Sequence, residues 1–557
     1  MSLRGVAKVA GALGFLLLAS ASGCGQSNGS TIDSQTNWLT ACQIDAQCGS
    51  AYACRCGVCT RPCDTDDACG ALPGAACVGT SDPGSIALCG GTRPASALCL
   101  PRCENGSCPS GQMCVASVCT PVPVPDAEVS VDTGARREPL IGFGATVAFG
   151  EVEITTHPRK AELDAAAFAG LGLDVLRLRN RYGHTGDDDL RSARALLDAA
   201  AQSLGREPAL LLTSWSPPAE LKAGGAVECH GNPDTCTLTK TAAGAFDYAG
   251  FASFWRDSLE AYAANGVVPD YIGIQNNPNW VPTSQEIGEA CKFLPSEGSA
   301  TVSINGVDMI VDYPGYAEAL GATLTALQGL PALPKVLAPE TSDFQGVDEY
   351  AQALDPSQID ALAHHLYGIA PDSVDTAALA ALGEYARDSD LPLLQTEMQS
   401  DGFGTALLIY YTVVVEGGSA YLQTTLTSSM TGPTANLQAL IGIDATDFRV
   451  QDPYFAMRHY SFDTDPGWVR VDTTSSNPEI LSSAWVSPSD DALTVVILNS
   501  APTAQAVRLP RDARWSSTQV TRTVFAGSER AATLGALPPE GMLTIPARSI
   551  VTVTFAE

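Results

Sequence analysis

The segment Tyr271-Ile272-Gly273-Ile274-Gln275 is one of eight short apolar runs that decide the fold predicted for this chain. Amphipathic stretches with helical spacing separate the runs, for example residues 251–263 and 316–327. Alternating strand and helix patterns are typical of repeated βα units, and eight such units close a TIM barrel. We therefore predict an α/β fold built on a (β/α)8 barrel. The other seven runs are residues 141–145, 175–179, 209–213, 335–338, 359–363, 391–395 and 420–424.

The pattern changes after about residue 450, where strand-length alternation and turns replace the helical stretches. Residues 492–498 and the terminal run 550–555 are examples. Such alternation indicates antiparallel strands, so a side β-sandwich is predicted for residues 449–557. The segment 129–140 precedes the barrel and is expected to supply a strand to this domain. The barrel domain is accordingly placed at residues 128–448, with its first residues joining the side sheet.

The first 24 residues have the features of an export signal. Arg4 and Lys8 form the positive start, residues 9–18 are apolar, and small residues lead to Cys24. A cysteine at the cleavage position resembles a bacterial lipobox, which predicts lipidation of Cys24 and attachment to a membrane surface. A plain secretory signal is the alternative. Either interpretation predicts an exported protein, as a cell-surface lipoprotein or in secreted form.

A cysteine-rich module follows the signal and a polar, flexible tether at residues 25–41. Of the 18 cysteines in the chain, 14 lie between Cys42 and Cys119. This density indicates a disulfide module over residues 42–120, and the even count favours seven bridges over a zinc site, which would also need nearby histidines. The spacing does not give the pairing. A Pro-rich linker is predicted at residues 121–127.

Three cysteines lie in the main globular part. Cys229 and Cys236 bracket a loop after the third apolar run and could form a bridge in an exported protein. With Cys24 lipidated and 14 cysteines paired in the module, Cys291 is left over. We expect it to be a buried, inert thiol.

Charge and histidine content exclude several classes of function. The formal net charge is −30, with only 31 Lys and Arg in 557 residues, so nucleic acid is not an expected partner. Six histidines without metal-ligand spacing predict no metal site. The pattern Gly142-x-Gly144 lacks the third glycine of a dinucleotide site, and no cofactor is predicted. We expect a monomer.

Two motifs 120 residues apart, Gln275-Asn276-Asn277-Pro278 and Gln395-Thr396-Glu397-Met398, point to a reaction class. In order and spacing, they and several further motifs resemble glycoside hydrolase family 30, its xylanase group more than its glucosylceramidases. The resemblance covers about residues 138–557. It implies a barrel with a side sandwich and a retaining β-glycosidase acting on a polysaccharide or oligosaccharide, xylan or a related β-linked glycan. The further motifs are residues 142–145, 175–179, 214–218, 336–341, 364–368, 454–460, 466–467 and 469–471.

The resemblance assigns two catalytic positions. Glu397 matches the nucleophile, whose carboxylate attacks the sugar to form a glycosyl-enzyme. Asn277 occupies the position of the general acid/base glutamate, and an amide has no proton to give. Because acid–base assistance is worth about 10²- to 10⁴-fold, its loss raises the barrier by roughly 3–5 kcal/mol.

The resemblance also assigns the surroundings of the sugar. An amide would hold the 2-hydroxyl, an aromatic ring would form a platform after strand three, and an arginine would pair with the nucleophile. A His–Tyr pair from strand six and two wall residues complete the set. Structural roles in packing are the alternatives for several of them. The residues are Asn276, Trp215, Arg177, His365, Tyr367, Glu340 and Trp280.

Two questions stay open at the level of sequence. Glu286, Glu289 or Glu340 could replace the missing acid, or the chain could be a catalytically impaired carbohydrate-binding surface lipoprotein that keeps the glycan cleft. The stretch 422–430 after strand eight contains no cation to bind a glucuronate group. Dependence on glucuronate is therefore not expected, unless a later arginine, Arg449 or Arg458, substitutes.

Overall fold

A computed structural model describes most of the chain. The predicted signal with Cys24, and nearly all of the predicted tether, lie outside the described residues. The chain divides into two compact units, residues 1–123 and 124–557. Within the described part, no helix combines the length and the apolar character needed to cross a bilayer. The described residues are 37–40, 42–89, 93–103, 108, 112–115, 118–121, 125–184, 188–229, 231–282, 288–304, 307–432 and 435–557.

The first unit is a set of small hairpins joined by disulfides. Seven bridges pair all 14 cysteines of the module, as predicted, and Cys48, Cys59, Cys69 and Cys99 are almost fully buried. Bridges that span 11 to 33 residues restrict the unfolded chain, which offsets the small apolar core of so short a unit. The bridges are Cys42–Cys54, Cys48–Cys59, Cys56–Cys89, Cys63–Cys77, Cys69–Cys99, Cys103–Cys114 and Cys108–Cys119.

Short elements build these hairpins. Each strand has only three or four residues, and the cysteines of facing strands, such as Cys54 and Cys59, lie opposite each other. The strands are Ala53–Arg55, Val58–Thr60, Ala75–Val78, Leu98–Pro101, Gln112–Val115 and Val118–Pro121, with one α-helix, Pro83–Leu88, and the 3-10 turns Asp45–Cys48 and Asp66–Cys69.

The second unit contains the predicted TIM barrel, which is confirmed. Eight parallel strands form a closed ring, and the eighth pairs with the first through Ala420 and Gly142. All eight predicted apolar runs supply strands, since strands covered on both faces need apolar side chains on both. We number the barrel strands one to eight: Gly142–Val147, Val175–Arg179, Ala209–Thr213, Tyr271–Gly273, Lys335–Thr341, Ala361–His365, Leu393–Met398 and Ala420–Thr424.

Some strand limits differ from the predicted runs. Strand four ends at Gly273 rather than Gln275, because the Asn276 N–H turns to the Ser214 carbonyl, at 2.7 Å, outside the ladder. Strands six and seven begin two residues later than predicted and extend further, to His365 and Met398. These extensions place polar side chains at the carboxyl end of the ring.

Helices cover the outside of the barrel. Helix Tyr248–Ala264 shows why such segments form: Asp247 accepts from the Gly250 N–H at its start, and Phe251, Trp255 and Tyr262 bury one face. The α-helices of this unit are Glu151–Thr156, Lys160–Asp164, Asp188–Leu204, Tyr248–Ala264, Tyr316–Leu327, Val347–Ala353, Thr376–Asp388, Gly402–Tyr410 and Asp452–Ser461; π-helical turns span Ala165–Ala169 and Tyr411–Glu416, and 3-10 turns span Ala219–Leu221, Phe344–Gly346, Pro356–Gln358 and Pro371–Ser373.

The side β-sandwich has nine strands and its own apolar core, which includes Val495, Ile497 and Val553. The segment before the barrel supplies one strand, Ala127–Pro139, to this domain, and that strand pairs antiparallel with Val469–Ser475. The remaining strands are Ile480–Val486, Ala492–Asn499, Gln505–Arg508, Ser517–Val524, Ala532–Gly535, Met542–Ile545 and Ser549–Ala556.

Small sheets form within the loops that follow the carboxyl ends of the barrel strands. After strand eight, a three-stranded sheet forms around the central strand Ile441–Ile443. Other loops carry two-stranded pairs. These strands are Thr427–Ser429, Ile441–Ile443 and Phe448–Val450, then Glu228–Cys229 with Gly288–Glu289, and Gly298–Ile304 with Val307–Tyr313.

Candidate active site

Polar side chains converge at the carboxyl end of the barrel. Strand two shows the local reason: side chains alternate, so Leu176 and Leu178 face the outer helices while Arg177 shares the inner face with Val175. In strand six, the same alternation puts His365 on the face of Ala361 and Ala363. Parallel strands end together at one rim, so these residues meet although they are far apart in sequence.

Glu397, at the end of strand seven, has both carboxylate oxygens engaged. Arg177 Nη1 donates to Oε2 at 2.7 Å, and the Tyr367 hydroxyl donates to Oε1 at 3.1 Å. Burial, followed by the nearby Glu397 charge, raises the pKa of Tyr367 well above its ordinary value, so the hydroxyl keeps its proton and remains a donor. The Glu397 side chain is still 9% exposed. The carboxylate is therefore oriented and reachable from the cleft.

Arg177 is the centre of the polar network. Besides Glu397, its Nη2 donates to Asn276 Oδ1 at 2.7 Å and lies 3.0 Å from Glu340 Oε1. The guanidinium carbon stands 4.5 Å from the centre of the Trp215 ring. A fully buried cation thus binds two carboxylates, one amide and one aromatic face, which holds the ends of strands two, five and seven together.

Glu340, at the end of strand five, is fully buried. Burial by itself raises the pKa of its carboxyl, but the adjacent Arg177 charge lowers it, and the net result is a pKa of about 2. The Thr213 hydroxyl also donates to Oε2 at 3.2 Å. A carboxyl with this pKa is ionised at neutral pH and has no proton to deliver. Glu340 is therefore not the replacement for the missing general acid.

Asn277 lies just beyond strand four with a left-handed φ of 49°, and its N–H donates to the Glu340 carbonyl at 2.9 Å. Its side-chain Oδ1 lies 2.8 Å from His365 Nδ1. An amide oxygen only accepts, so Nδ1 carries the proton and the Asn277 NH2 group is turned away from the histidine. Burial lowers the pKa of His365, and the ring is neutral. Asn277 is thus a fixed hydrogen-bond donor at the place where an acid is expected.

Of the other two candidate acids, the structure describes only Glu289. Glu289 forms an ion pair with Arg179 Nη1 at 2.7 Å. Glu286 lies outside the described residues. The two candidate acids that the structure describes, Glu289 and Glu340, therefore both form ion pairs with buried arginines.

Two aromatic residues of the predicted site, Trp215 and Trp280, have different surroundings. Trp215 is 8% exposed and contacts the arginine network directly, whereas Trp280 packs beside the disulfide Cys229–Cys236. The bridge that the sequence suggested is thus present. Trp280 belongs to the loop wall rather than to the group around Glu397.

Cys291 and Arg458 complete the comparison with the predicted residues. Cys291 is a buried free thiol, and burial raises its pKa to about 12. Arg458 stacks on Phe462, with its guanidinium carbon 3.6 Å from the ring centre, and donates to the Gly170 carbonyl. Gly170 precedes strand two, at the amino end of the barrel. Arg458 is therefore excluded as a uronate ligand, while Arg449 is exposed on the small sheet after strand eight.

Phe149 is a candidate binding residue that the sequence analysis missed. It follows strand one, is 61% exposed, and its ring centre lies 6.4 Å from that of Trp215 in an edge-on arrangement. The guanidinium carbon of Arg179 stands 3.9 Å from the Phe149 ring centre. The position of Phe149 in the sequence could have indicated this role, because an aromatic residue two positions beyond a barrel strand lies at the rim that carries the site.

Comparisons with known proteins agree with this architecture. Residues 467–553 match the family model of the glycosyl hydrolase family 30 beta sandwich domain. No curated protein sequence matches the chain.

Solved structures share the fold at low sequence identity. The catalytic domain of GH30 xylanase C from Talaromyces cellulolyticus is 17% identical, with a TM-score of 0.59 over 77% of this chain and 100% of that chain. A conserved exported protein from Bacteroides fragilis is 13% identical, with a TM-score of 0.60 over 76% of this chain and 99% of that one. An endo-β1,6-glucanase is 14% identical, with a TM-score of 0.54 over 77% and 94%. Residues 467–553 thus resemble this sandwich domain in sequence, and the solved structures share the fold of the chain.

Proposed function

We propose that this protein is a retaining β-glycoside hydrolase with Glu397 as its nucleophile. The observation that supports it most is the orientation of the Glu397 carboxylate by Arg177 and Tyr367 at the catalytic rim of the barrel. Attack of one carboxylate oxygen on the anomeric carbon would break the glycosidic bond and form a glycosyl ester, which water then hydrolyses. Asn276, whose Oδ1 accepts from Arg177, would bind the 2-hydroxyl of the sugar.

The proposed substrate is xylan or a related β-linked glycan. The named relatives of this fold include a xylanase and an endo-β1,6-glucanase, which supports β-glycans as a class. The rim offers the Trp215 and Phe149 rings beside hydrogen-bonding side chains, a combination that suits the mixed apolar and hydroxyl surface of a sugar.

The substitution at Asn277 limits which bonds this protein would cut. Without a proton donor, an alkoxide leaving group departs slowly, whereas a nitrophenolate departs unaided. Glu340 does not repair the defect, since its pKa of about 2 keeps it ionised. We therefore expect turnover to depend steeply on the leaving group.

A second candidate function is glycan binding without turnover. The hydrogen bond between His365 and Asn277 favours this binding function. It fixes the orientation of the Asn277 amide, whose NH2 group can donate a hydrogen bond but cannot transfer a proton. Such a group can hold a glycosidic oxygen in place without protonating it. The protein would then act as a carbohydrate-binding surface protein with an intact cleft.

An activated substrate separates the two functions. Dinitrophenyl β-xyloside needs no acid, so the hydrolase should release dinitrophenolate, and Glu397→Gln should abolish the release. Glu384→Gln is the matched control, because Glu384 is an exposed carboxylate on the outer helix Thr376–Asp388. Trapping with a 2-fluoro glycosyl fluoride should add one sugar mass to Glu397. If the wild-type protein binds xylo-oligosaccharide but neither releases dinitrophenolate nor becomes labelled, the hydrolase proposal is wrong and the binding function stands.

Export and anchoring belong to the same proposal. Eight disulfides, including Cys229–Cys236, are consistent with an oxidising compartment outside the cytosol. Lipidation at Cys24 would hold the barrel at the cell surface, with the cysteine-rich module between anchor and barrel in the chain. Mass analysis of the native N-terminal peptide tests this directly.

A further inference from the structure

A separate cavity of about 710 Å³ opens between the ends of barrel strands one and eight. Its size lies within the roughly 300–1,000 Å³ of typical ligand pockets. Val147 and Phe149 line it from the strand-one side, and Thr427 and Asn436 line it from the strand-eight side. None of these was assigned a role by the sequence motifs.

The cavity adjoins the candidate active site through direct contacts. Phe149 meets Trp215 edge-on at 6.4 Å, and Trp215 stacks on the arginine that holds Glu397. On the other side, Asn436 Nδ2 donates to Gln399 Oε1 at 2.8 Å. Gln399 is two residues beyond Glu397. The cavity therefore lies next to the group of side chains around Glu397.

The lining suits a sugar. Phe149 presents an exposed aromatic surface, and Ile443 adds apolar area. Hydroxyl and amide groups, including those of Thr427 and Asn436, face the same space. An apolar wall with a few polar groups is the usual composition of a site that fixes the orientation of a small ligand.

The charge of the lining is negative. Glu153 and Asp444 supply carboxylates, and hydrogen bonds from the backbone of Thr446 and Asp447 lower the pKa of Asp444. The Nδ1 atom of His157, which also lines the cavity, accepts the Arg159 N–H at 3.1 Å.

Basic side chains do not balance these carboxylates. Of the described residues that line the cavity, none is Lys or Arg. The neighbouring Arg159 forms ion pairs with Glu162 and Asp447 instead. The nearby Arg179 is held by Glu289, so a carboxylate entering the cavity would meet like charges with no cation in the described lining.

We propose that this cavity is a binding site for a sugar residue without a carboxylate, and that it selects neutral glycans over uronate-bearing ones. The proposal deepens the proposed function, on which it rests for the identity of the glycan. Phe149 supplies the surface that contacts the sugar, while the carboxylates of Glu153 and Asp444 repel a uronate group.

Calorimetry tests this selectivity by measuring the affinity of the protein for two matched ligands. One is a neutral xylo-oligosaccharide, and the other is the same oligosaccharide with a glucuronate branch. We expect the neutral ligand to bind about tenfold more tightly at low salt, and the ratio to shrink at high salt because the repulsion is screened. Glu153→Gln with Asp444→Asn should reduce the ratio to about one. Glu384→Gln, which removes an exposed carboxylate of the outer helix Thr376–Asp388 that is not part of the cavity lining, should leave the ratio unchanged.

Phe149→Ala provides the second arm, and its exposure makes misfolding a minor concern. It should weaken neutral binding by about tenfold, the loss expected for one stacking surface. Equal binding of both ligands by the wild-type protein, no binding of either, or no effect of Phe149→Ala would overturn the proposal. Release of dinitrophenolate from the small aryl xyloside is measured in parallel. If that activity persists while the cavity variants change nothing, the cavity proposal fails alone.

Discussion

Replacing Asn277 with glutamate tests the argument about the missing acid most directly. General acid assistance is worth about 10²- to 10⁴-fold, or roughly 3–5 kcal/mol of barrier. Asn277→Glu should therefore raise kcat/KM by that factor on alkyl β-xylosides or xylan. On dinitrophenyl β-xyloside the gain in kcat/KM should stay below about tenfold, because this leaving group needs no proton.

The structure indicates that the substitution is tolerated. Position 277 is only partly buried, and its left-handed φ of 49° costs a glutamate about 1–2 kcal/mol of stability. The His365 N–H, which lies 2.8 Å from Asn277 Oδ1, would donate to the new carboxyl. Because the new group acts in its protonated form, the gain on alkyl substrates should fall as the pH rises through its pKa.

The assay compares initial rates on the alkyl and dinitrophenyl substrates for the wild type, Asn277→Glu and Asn277→Gln. The glutamine variant has the size of glutamate without the acid, so it should gain nothing. Two results would refute the reasoning. In the first, Asn277→Glu shows a cooperative thermal unfolding transition and binds ligand, yet its kcat/KM on the alkyl substrate rises less than about tenfold. In the second, kcat/KM rises as much for Asn277→Gln as for Asn277→Glu.

Three further outcomes follow from the hydrogen bonds and burial of individual residues. Tyr367→Phe removes the hydrogen bond to Glu397 Oε1, and should lower kcat/KM by about 10- to 150-fold without a change in fold, since a hydrogen bond to a charged group is worth about 1.5–3 kcal/mol; rates equal to wild type would show that Arg177 alone orients the nucleophile. The pKa of Glu340 falls from an ordinary 4.5 to about 2, so its contribution of about 3 kcal/mol to stability is present above pH 4.5 and is lost as the pH drops toward 2; unfolding by denaturant should show this loss, and Glu340→Gln should flatten the dependence. Cys291 should resist alkylation at pH 8 in the folded protein and react fully after unfolding, because burial raises its pKa to about 12; rapid labelling of the native protein, followed by mass spectrometry, would show that the thiol is accessible.

The architecture was largely predictable from the sequence. Parallel strands covered on both faces favour short, largely apolar runs, so eight of them, including Ala209–Thr213, could be counted without any long-range information. The density of cysteines between Cys42 and Cys119 likewise implied disulfides, but the pairing depends on which chains meet in space. The end of strand four could not be predicted from local sequence, because the Asn276 N–H bonds to Ser214, which lies just beyond strand three.

The chemistry of the site divides in the same way. The sequence by itself determined the type of residue at each strand end, including an amide at Asn277 and a carboxyl at Glu397. Only the tertiary structure decided that Glu340 is no substitute acid, because its pKa depends on full burial beside Arg177. The cavity beside Phe149 arises only when strand eight closes on strand one. Distances and charges between remote residues are properties of the closed barrel, which is why local patterns predict the strands but not the network they assemble.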